Sequence, residues 1–167
     1  WPELLPYMFG AVTSPNAAHI EGSLRIFATL PEFLAVEMVE HFPRMAQVFG
    51  AALGHASPAV QLGALQALGG LLLSIDRPSQ RNVFQPLVPA VLVALGGMLG
   101  AGDADSARGV LTAMVDVAET QATFFRPHLA NVVEALLQLA GSAAVEENVR
   151  QMAVELLLAL AEGGAGM

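Results

Sequence analysis

The sequence predicts an all-α protein built from about four helical hairpins. Its apolar residues recur with the roughly 3.6-residue period of a helix, and strand signals are weak throughout. A proline also stands near the start of an apolar segment four times, at spacings of 37, 46 and 38 residues. Each of these segments is followed, after a break, by a second apolar segment. The four prolines are Pro6, Pro43, Pro89 and Pro127.

The spacing of these segments indicates a repeat architecture. Paired helices that recur roughly every 40–47 residues are typical of HEAT and armadillo arrays. A single hairpin cannot cover its own core, so neighbouring hairpins must stack on it. We therefore expect a HEAT-repeat right-handed α-solenoid that forms one array over residues 1–167, a fragment of a longer solenoid. Its repeats are expected at about 1–31, 32–76, 77–121 and 122–163.

The fourth hairpin has the clearest pattern. Six apolar residues between 129 and 140 share one helix face, and six between 149 and 160 share another. Gly141 is expected to end the first of these helices in a left-handed conformation. Glu146 and Glu147 fall in the first turn of the second, where the helix dipole favours negative charge. The predicted helix pairs are 2–13 with 17–30, 35–53 with 58–75, 81–99 with 105–121, and two helices within 127–162.

Helix starts are marked by capping residues. Asn16 follows a turn and is a predicted N-cap. Ser57 is expected to cap the next second helix, with Pro58 at the first helical position, where its missing N–H costs nothing. In the third hairpin, glycines at 100 and 102 break the chain, and either Asp103 or Asp105 can cap the helix that follows.

The charge balance favours basic partners. The net charge is −8, and all of the seven basic residues are arginines. Nucleic-acid binding needs clustered positive charge, so a nucleic-acid partner is not expected. Opposite fields raise encounter rates, which favours proteins with basic segments. Since the chain has no cysteine, disulfides and cysteine-ligated metals are excluded.

Two stretches without charged residues, 45–75 and 82–102, raise the question of a membrane span. A spanning helix needs about 20 mostly apolar residues. A loop at 54–58 breaks the first stretch, and prolines interrupt the second. We therefore expect no membrane span, but helices buried on two sides between stacked neighbours. A membrane-embedded helical protein is kept as the less favoured alternative.

Each second helix carries an apolar residue followed by a polar one in its first turns. In HEAT repeats an arginine at this position can bond a carboxylate or carbonyl of a neighbouring repeat and form a ladder. Arg108, with Asp105 nearby, and Arg150, with Glu146 nearby, fit this arrangement. The four pairs are Ile20–Glu21, Val60–Gln61, Ala107–Arg108 and Val149–Arg150.

No motif for catalysis or for metal binding stands out. Glu37 and His41 are spaced to share a helix face, but a zinc site needs three or four converging ligands. The glycine pairs at 69–70 and 96–97 follow helix patterns rather than strands, so they do not indicate a phosphate loop. We expect close helix packing or helix bends at these glycines. The sequence thus predicts a protein that is not an enzyme and has no cofactor or metal.

The best candidates for partner binding are acidic residues on the second helices. Second helices commonly line the concave side of HEAT superhelices, where carboxylates can hold segments rich in lysine and arginine. An ordinary solvated helix face is the alternative for each residue. The candidates are Glu21, Asp105, Asp116, Glu119, Glu146, Glu147 and Glu155.

Five short motifs, spread in order along the chain, resemble the importin-beta (karyopherin-beta) family. They include Trp1-Pro2-Glu3 and the segment from Asn16 through Ile26-Phe27 to Pro31. The segment 115–120, the motif 125–129 and the motif 151–155 complete the set. The similarity is greatest to the importin beta-3 type and its importin-4-like relatives, in the N-terminal third of such a receptor.

The resemblance implies a role in nuclear transport. Such receptors bind basic cargo proteins on a concave surface, contact FG-repeat nucleoporins on the outer face and release cargo on binding Ran-GTP. They shuttle between cytoplasm and nucleus through the nuclear pore. A different HEAT scaffold, such as a phosphatase or translation-associated subunit, would share the fold but would not respond to Ran.

Overall fold

The computed structural model of the chain describes residues 3–164. Every regular element in that range is an α-helix or a 3-10 helix, and no strand occurs there. The predicted all-α class is therefore confirmed. Contacts divide the chain into two compact units, residues 1–84 and residues 85–167.

The first unit holds the first two predicted hairpins. α2 lies beside α5, and both α3 and α4 pack on α5. α1 packs on α2, and α4 packs on α5, so each pair forms a hairpin. The single helix predicted over 35–53 is wrong, because the chain leaves α3 at Glu37 and α4 begins only at Phe42. Its elements are α1 (Leu4–Ala11), α2 (Ala17–Thr29), α3 (Pro31–Glu37), a 3-10 helix (Val39–His41), α4 (Phe42–Leu53), α5 (Pro58–Ser74) and α6 (Pro78–Arg81).

Five phenylalanines form the centre of the core in this unit. The ring centroids of Phe9 and Phe27 are 6.2 Å apart, and those of Phe27 and Phe49 are 5.9 Å apart. Phe84 lies 6.2 Å from Phe49 and 5.3 Å from Phe42. The rings are tilted or edge-on, as aromatic pairs prefer. This continuous aromatic row joins α1, α2 and α4 to the segment that follows α6.

Two helix starts in the first unit differ in how they are capped. The Asn16 side chain accepts a 3.0 Å hydrogen bond from a backbone N–H of α2, so the predicted cap is confirmed. Pro58 takes the first position of α5 as predicted, but the Ser57 side chain makes no capping bond. Instead the Ser57 N–H donates to His55 Nδ1 at 3.0 Å, and Gln61 Nε2 donates to the His55 carbonyl at 2.8 Å. Ser57 is thus the N-cap residue as predicted, but without a side-chain cap, and the His55 ring is the side chain that bonds this turn.

The second unit holds two further hairpins, although the helix predicted from residue 81 begins as an α-helix only at Val88. α10 packs on both α8 and α9, and α7 packs on α8. Within this unit Gln85 Nε2 donates a 3.1 Å hydrogen bond to the Phe124 carbonyl, and Gln85 belongs to a 3-10 helix (Asn82–Leu87). The remaining elements are α7 (Val88–Gly100), α8 (Ala104–Gln121), a 3-10 helix (Ala122–His128), α9 (Leu129–Gly141) and α10 (Glu147–Gly164).

Two expectations about helix ends, at the start of α8 and at the end of α9, can be checked in this unit. Asp103, rather than Asp105, is the N-cap of α8, since its Oδ1 accepts a 3.1 Å bond from the Ser106 N–H. Gly102 has a φ of +75° and is the only residue in the described range with positive φ. The expectation that Gly141 closes α9 in a left-handed conformation is wrong. α9 runs through Gly141, and an extended residue follows it directly.

The helical run Pro78–Gly100 is long and apolar enough to cross a membrane by length and composition. Its 23 residues have a mean hydropathy of 1.8, and 39% of the apolar window is buried. A core helix of a soluble protein passes the same test. The expectation that this stretch is buried on two sides is wrong for α7, because Val93 is 74% exposed and Pro89 and Gly96 lie at the surface.

Candidate partner-binding surface

The apolar–polar pairs of the second helices occupy equivalent places in the first turns of α2, α5, α8 and α10. The apolar member is at most 5% exposed in each case and anchors its helix in the core. The polar member is partly exposed beside it. The sequence therefore places a polar side chain at the surface of each hairpin in the same way. The buried members are Ile20, Val60, Ala107 and Val149.

Two of the candidate carboxylates are already paired with an arginine of the same helix. Glu21 Oε1 accepts a 2.7 Å bond from the Arg25 guanidinium, one turn further along α2. Asp105 pairs in the same way with Arg108 on α8. Arg25 was not among the residues predicted from the sequence, although a glutamate four residues before an arginine on a helix is a known signal for such a pair.

The predicted ladder between repeats stays a prediction. Arg108 is engaged within its own helix, as just described. The Nε atom of Arg150 is buried and has no hydrogen-bond partner in the part of the chain that the structure describes. No ion pair joins Arg150 to Glu146 in the same range. A ladder would require an acceptor for this nitrogen on a neighbouring repeat.

α8 and α10 run side by side in the same direction. Their C-terminal ends lie close together. Gly163 near the end of α10 is so near Ala122, the residue directly after α8, that a Cβ added to Gly163 would overlap the Cβ of Ala122. The same position lies 3.5 Å from the Ala118 carbonyl oxygen. The outer faces of these two second helices therefore belong to one continuous surface of the second unit.

This surface carries carboxylates that are free of ion pairs. Asp116 and Glu119 are exposed on α8, three residues apart, so they share one helix face. Glu155 is exposed on α10. None of the three forms a salt bridge within residues 3–164. Unlike the carboxylate of Glu21, they are not bonded to an arginine of their own helix.

A second acidic group lies at the start of α10. Glu146, Glu147 and Gln151 line a shallow depression together with Asn148. Gln151 Nε2 donates a 3.3 Å bond to Glu147 Oε1, one turn earlier on the helix. The helix dipole stabilises negative charge here, so this group is also explained by helix formation alone.

Within residues 3–164, no group of three or more His, Asp or Glu side chains is placed to hold a metal ion. His41 Nε2 lies 3.4 Å from Glu40 Oε1, its neighbour in the chain. Glu37, which shares the predicted helix face with His41, is exposed on α3.

Comparison with known proteins identifies the family. A family model described as IPO5-like, TPR repeats matches residues 1–135. The probable importin-5 homolog of Dictyostelium discoideum is 22% identical over 165 residues, and importin subunit beta-3 of Saccharomyces cerevisiae is 25% identical over 168 residues. The alignments cover 97% and 100% of this chain. The chain spans 15% of the length of each relative.

Crystal structures of Kap121p, free and bound to Nup53p, match the fold with a TM-score of 0.83 at 23% identity. The match covers 97% of this chain and 15% of Kap121p. The family description names TPR repeats, whose period is about 34 residues, whereas the proline spacing in this chain is closer to that of HEAT repeats. The predicted HEAT-type fold class is confirmed. With its family match extending over residues 1–135, this chain belongs to the importin-5-like family of the importin-beta group.

Proposed function

We propose that this chain is part of a nuclear transport receptor and that its second helices bind basic segments of cargo proteins. The observation that carries the proposal is the pair of exposed, unpaired carboxylates of Asp116 and Glu119 on α8. Family membership supports it, as do the complexes of Kap121p with the SUMO protease Ulp1p, with Ste12p and with Pho4p. The receptor would work in both cytoplasm and nucleus.

The chemistry of binding would be electrostatic. A free carboxylate forms charge-assisted hydrogen bonds with lysine or arginine, and these are about twice as strong as neutral ones. The net charge of −8 would speed the encounter with a basic segment at low salt. Several such contacts along successive second helices would add up to useful affinity, while each alone stays weak.

Two further partners belong to the proposal. Binding of Ran-GTP would release the cargo, and FG-repeat nucleoporins would contact the outer, first helices. Those helices expose apolar side chains in both units, with Tyr7 68% exposed on α1 and Leu137 59% exposed on α9. Exposed apolar groups of this kind are suited to phenylalanine side chains.

The test is binding of a fluorescent lysine-rich peptide to the 167-residue chain, followed by fluorescence anisotropy. We expect Asp116→Lys with Glu119→Lys to weaken binding at least about tenfold, because two charge-assisted bonds are lost and repulsion is gained. The matched control is Glu37→Lys with Glu134→Lys, which changes net charge equally on the exposed faces of first helices.

Equal losses in both double variants would reduce the interaction to non-specific attraction and contradict the proposal. In a second arm, Ran locked in its GTP form is added to the peptide complex, with Ran-GDP as the control. Displacement by the GTP form alone is the expected result. Displacement by neither form would contradict regulation by Ran.

A further inference from the structure

A groove runs between the second helices α2 and α5 in the first unit. Its volume is about 210 Å³. Small residues line much of it, namely Ala28, Ala59 and Gly63. Its polar lining comes from Glu21, Arg25 and Gln66. The groove therefore combines small apolar residues with charged and amide groups.

Gly63 lines the groove at a position where a side chain would fit. A Cβ added there would lie 3.6 Å from Leu24 Cβ, which is an ordinary van der Waals distance. The α2–α5 interface would therefore accept alanine at this position without strain. Packing therefore does not require glycine at this position, which lines the groove.

The ion pair in the groove is exposed and easily exchanged. The Arg25 side chain is 75% exposed, whereas that of Glu21 is 36% exposed. Exposed ion pairs on a helix are weak, since solvent screens them and two long side chains must be held in place. Only Oε1 of Glu21 is bonded to Arg25, so the carboxylate retains capacity for a second donor.

We propose that this groove binds an extended peptide through a lysine or arginine that replaces Arg25 on the carboxylate of Glu21. The Gln66 amide would bond the peptide backbone, because it offers both a donor and an acceptor. Arg25 then acts as an internal competitor that lowers the affinity for basic peptides. The inference rests on the proposed function and adds a distinct site, in the first unit, with a built-in regulator.

The charges in the groove and on the whole chain favour a cationic occupant over an anionic one. The acid of the pair is the less exposed partner, so it is the fixed group, while the arginine is free to swing into solvent. An acidic peptide would also have to approach a chain with a net charge of −8.

The test uses the lysine-rich peptide and two charge-neutralising variants of the full 167-residue chain. Arg25→Gln is expected to tighten binding about two- to fivefold, the range that corresponds to an exposed ion pair. Glu21→Gln is expected to weaken it about tenfold. Arg77→Gln and Glu37→Gln are the matched controls, since both residues are exposed and lie outside the groove. A peptide with acetylated lysines should show neither effect.

A steric variant tests the location of the peptide. Gly63→Ala adds a methyl group where α5 meets α2 beside the groove and is expected to weaken binding without a loss of stability, since alanine is the better helix former. Gly70→Ala is the control on the same helix, because a Cβ there meets Pro31 at the same distance of 3.6 Å, outside the groove.

The outcomes separate this inference from the proposed function. If Asp116→Lys with Glu119→Lys weakens binding but Arg25→Gln, Glu21→Gln and Gly63→Ala leave it unchanged, the groove is not a site and the proposed function stands. If Arg25→Gln weakens binding, the arginine contacts the peptide directly and the competitor role is overturned. If the peptide does not bind the chain at all, both proposals fail.

Discussion

Arg81 Nε donates a 3.2 Å hydrogen bond to the carbonyl oxygen of Leu72, and the same guanidinium also bonds the carbonyl of Ile75. Both carbonyls lie at the C-terminal end of α5, where no further helical N–H groups are available to them. The arginine itself is only 3% exposed. Burial lowers the pKa of its guanidinium, and the nearby Asp76 carboxylate partly raises it again. The side chain ties the end of α5 to α6.

Replacing Arg81 with methionine should destabilise the chain by about 2 to 3 kcal/mol, since hydrogen bonds from a charged group are lost and the carbonyls keep no donor. Arg81→Lys should give an intermediate loss, because an ammonium cannot reproduce the planar fork of donors. The free energy of unfolding from urea denaturation measures both effects. Arg77→Met, at an exposed position in the same segment, is the control. An equal loss there would show that the two carbonyl bonds do not matter.

The Asp103 carboxylate caps α8, and this should make the stability of the second unit depend on pH. Hydrogen bonds from the side chain and the backbone N–H of Ser106 lower the pKa of Asp103. A lowered folded-state pKa means that the contribution is complete above the ordinary aspartate value of about 4. It is lost as the pH falls through the lower folded-state value. Thermal unfolding between neutral pH and pH 3 should show this loss.

Two substitutions separate the cap from the charge. Asparagine is as good an N-cap as aspartate, so Asp103→Asn should retain stability near neutral pH. Because its side chain carries no titrating carboxyl group, its melting temperature should fall less between neutral pH and pH 3. Asp103→Ala removes the acceptor and should lower the melting temperature at every pH. If Asp103→Ala and Asp103→Asn behave alike near neutral pH, the hydrogen bond to Ser106 contributes nothing.

The hairpins could be predicted from the sequence because their apolar stripes are long. The helix predicted over 58–75 is found at Pro58–Ser74, and the one predicted over 105–121 is found at Ala104–Gln121. The bounds of the shorter helical elements differ from the prediction. α3 begins at Pro31 and is separated from α4 by a 3-10 turn, an arrangement that tertiary packing decides and a single periodic pattern cannot show.

Side-chain partners were harder to predict than helices. Arginine is rarely buried, so nothing in the sequence distinguishes Arg81 from the exposed Arg77. Phe84 sits in a 3-10 segment outside any helical stripe, yet it completes the aromatic row of the first unit. The acidic candidates follow from composition, but only the folded structure distinguishes the paired carboxylate of Glu21 from the unpaired one of Asp116.

Gly102 should tolerate substitution least among the glycines of the α7–α8 connection. Its φ of +75° is a left-handed conformation that costs a residue with a Cβ about 1 kcal/mol or more. Gly102→Ala should therefore destabilise the chain by about that amount in urea unfolding. Gly96→Ala is the matched control on α7, because a Cβ there meets nothing within 4 Å and the backbone is helical. That change should stabilise by about 0.5 to 1 kcal/mol, since alanine is the better helix former. Losses of similar size at both positions would mean that the left-handed turn is not what limits position 102.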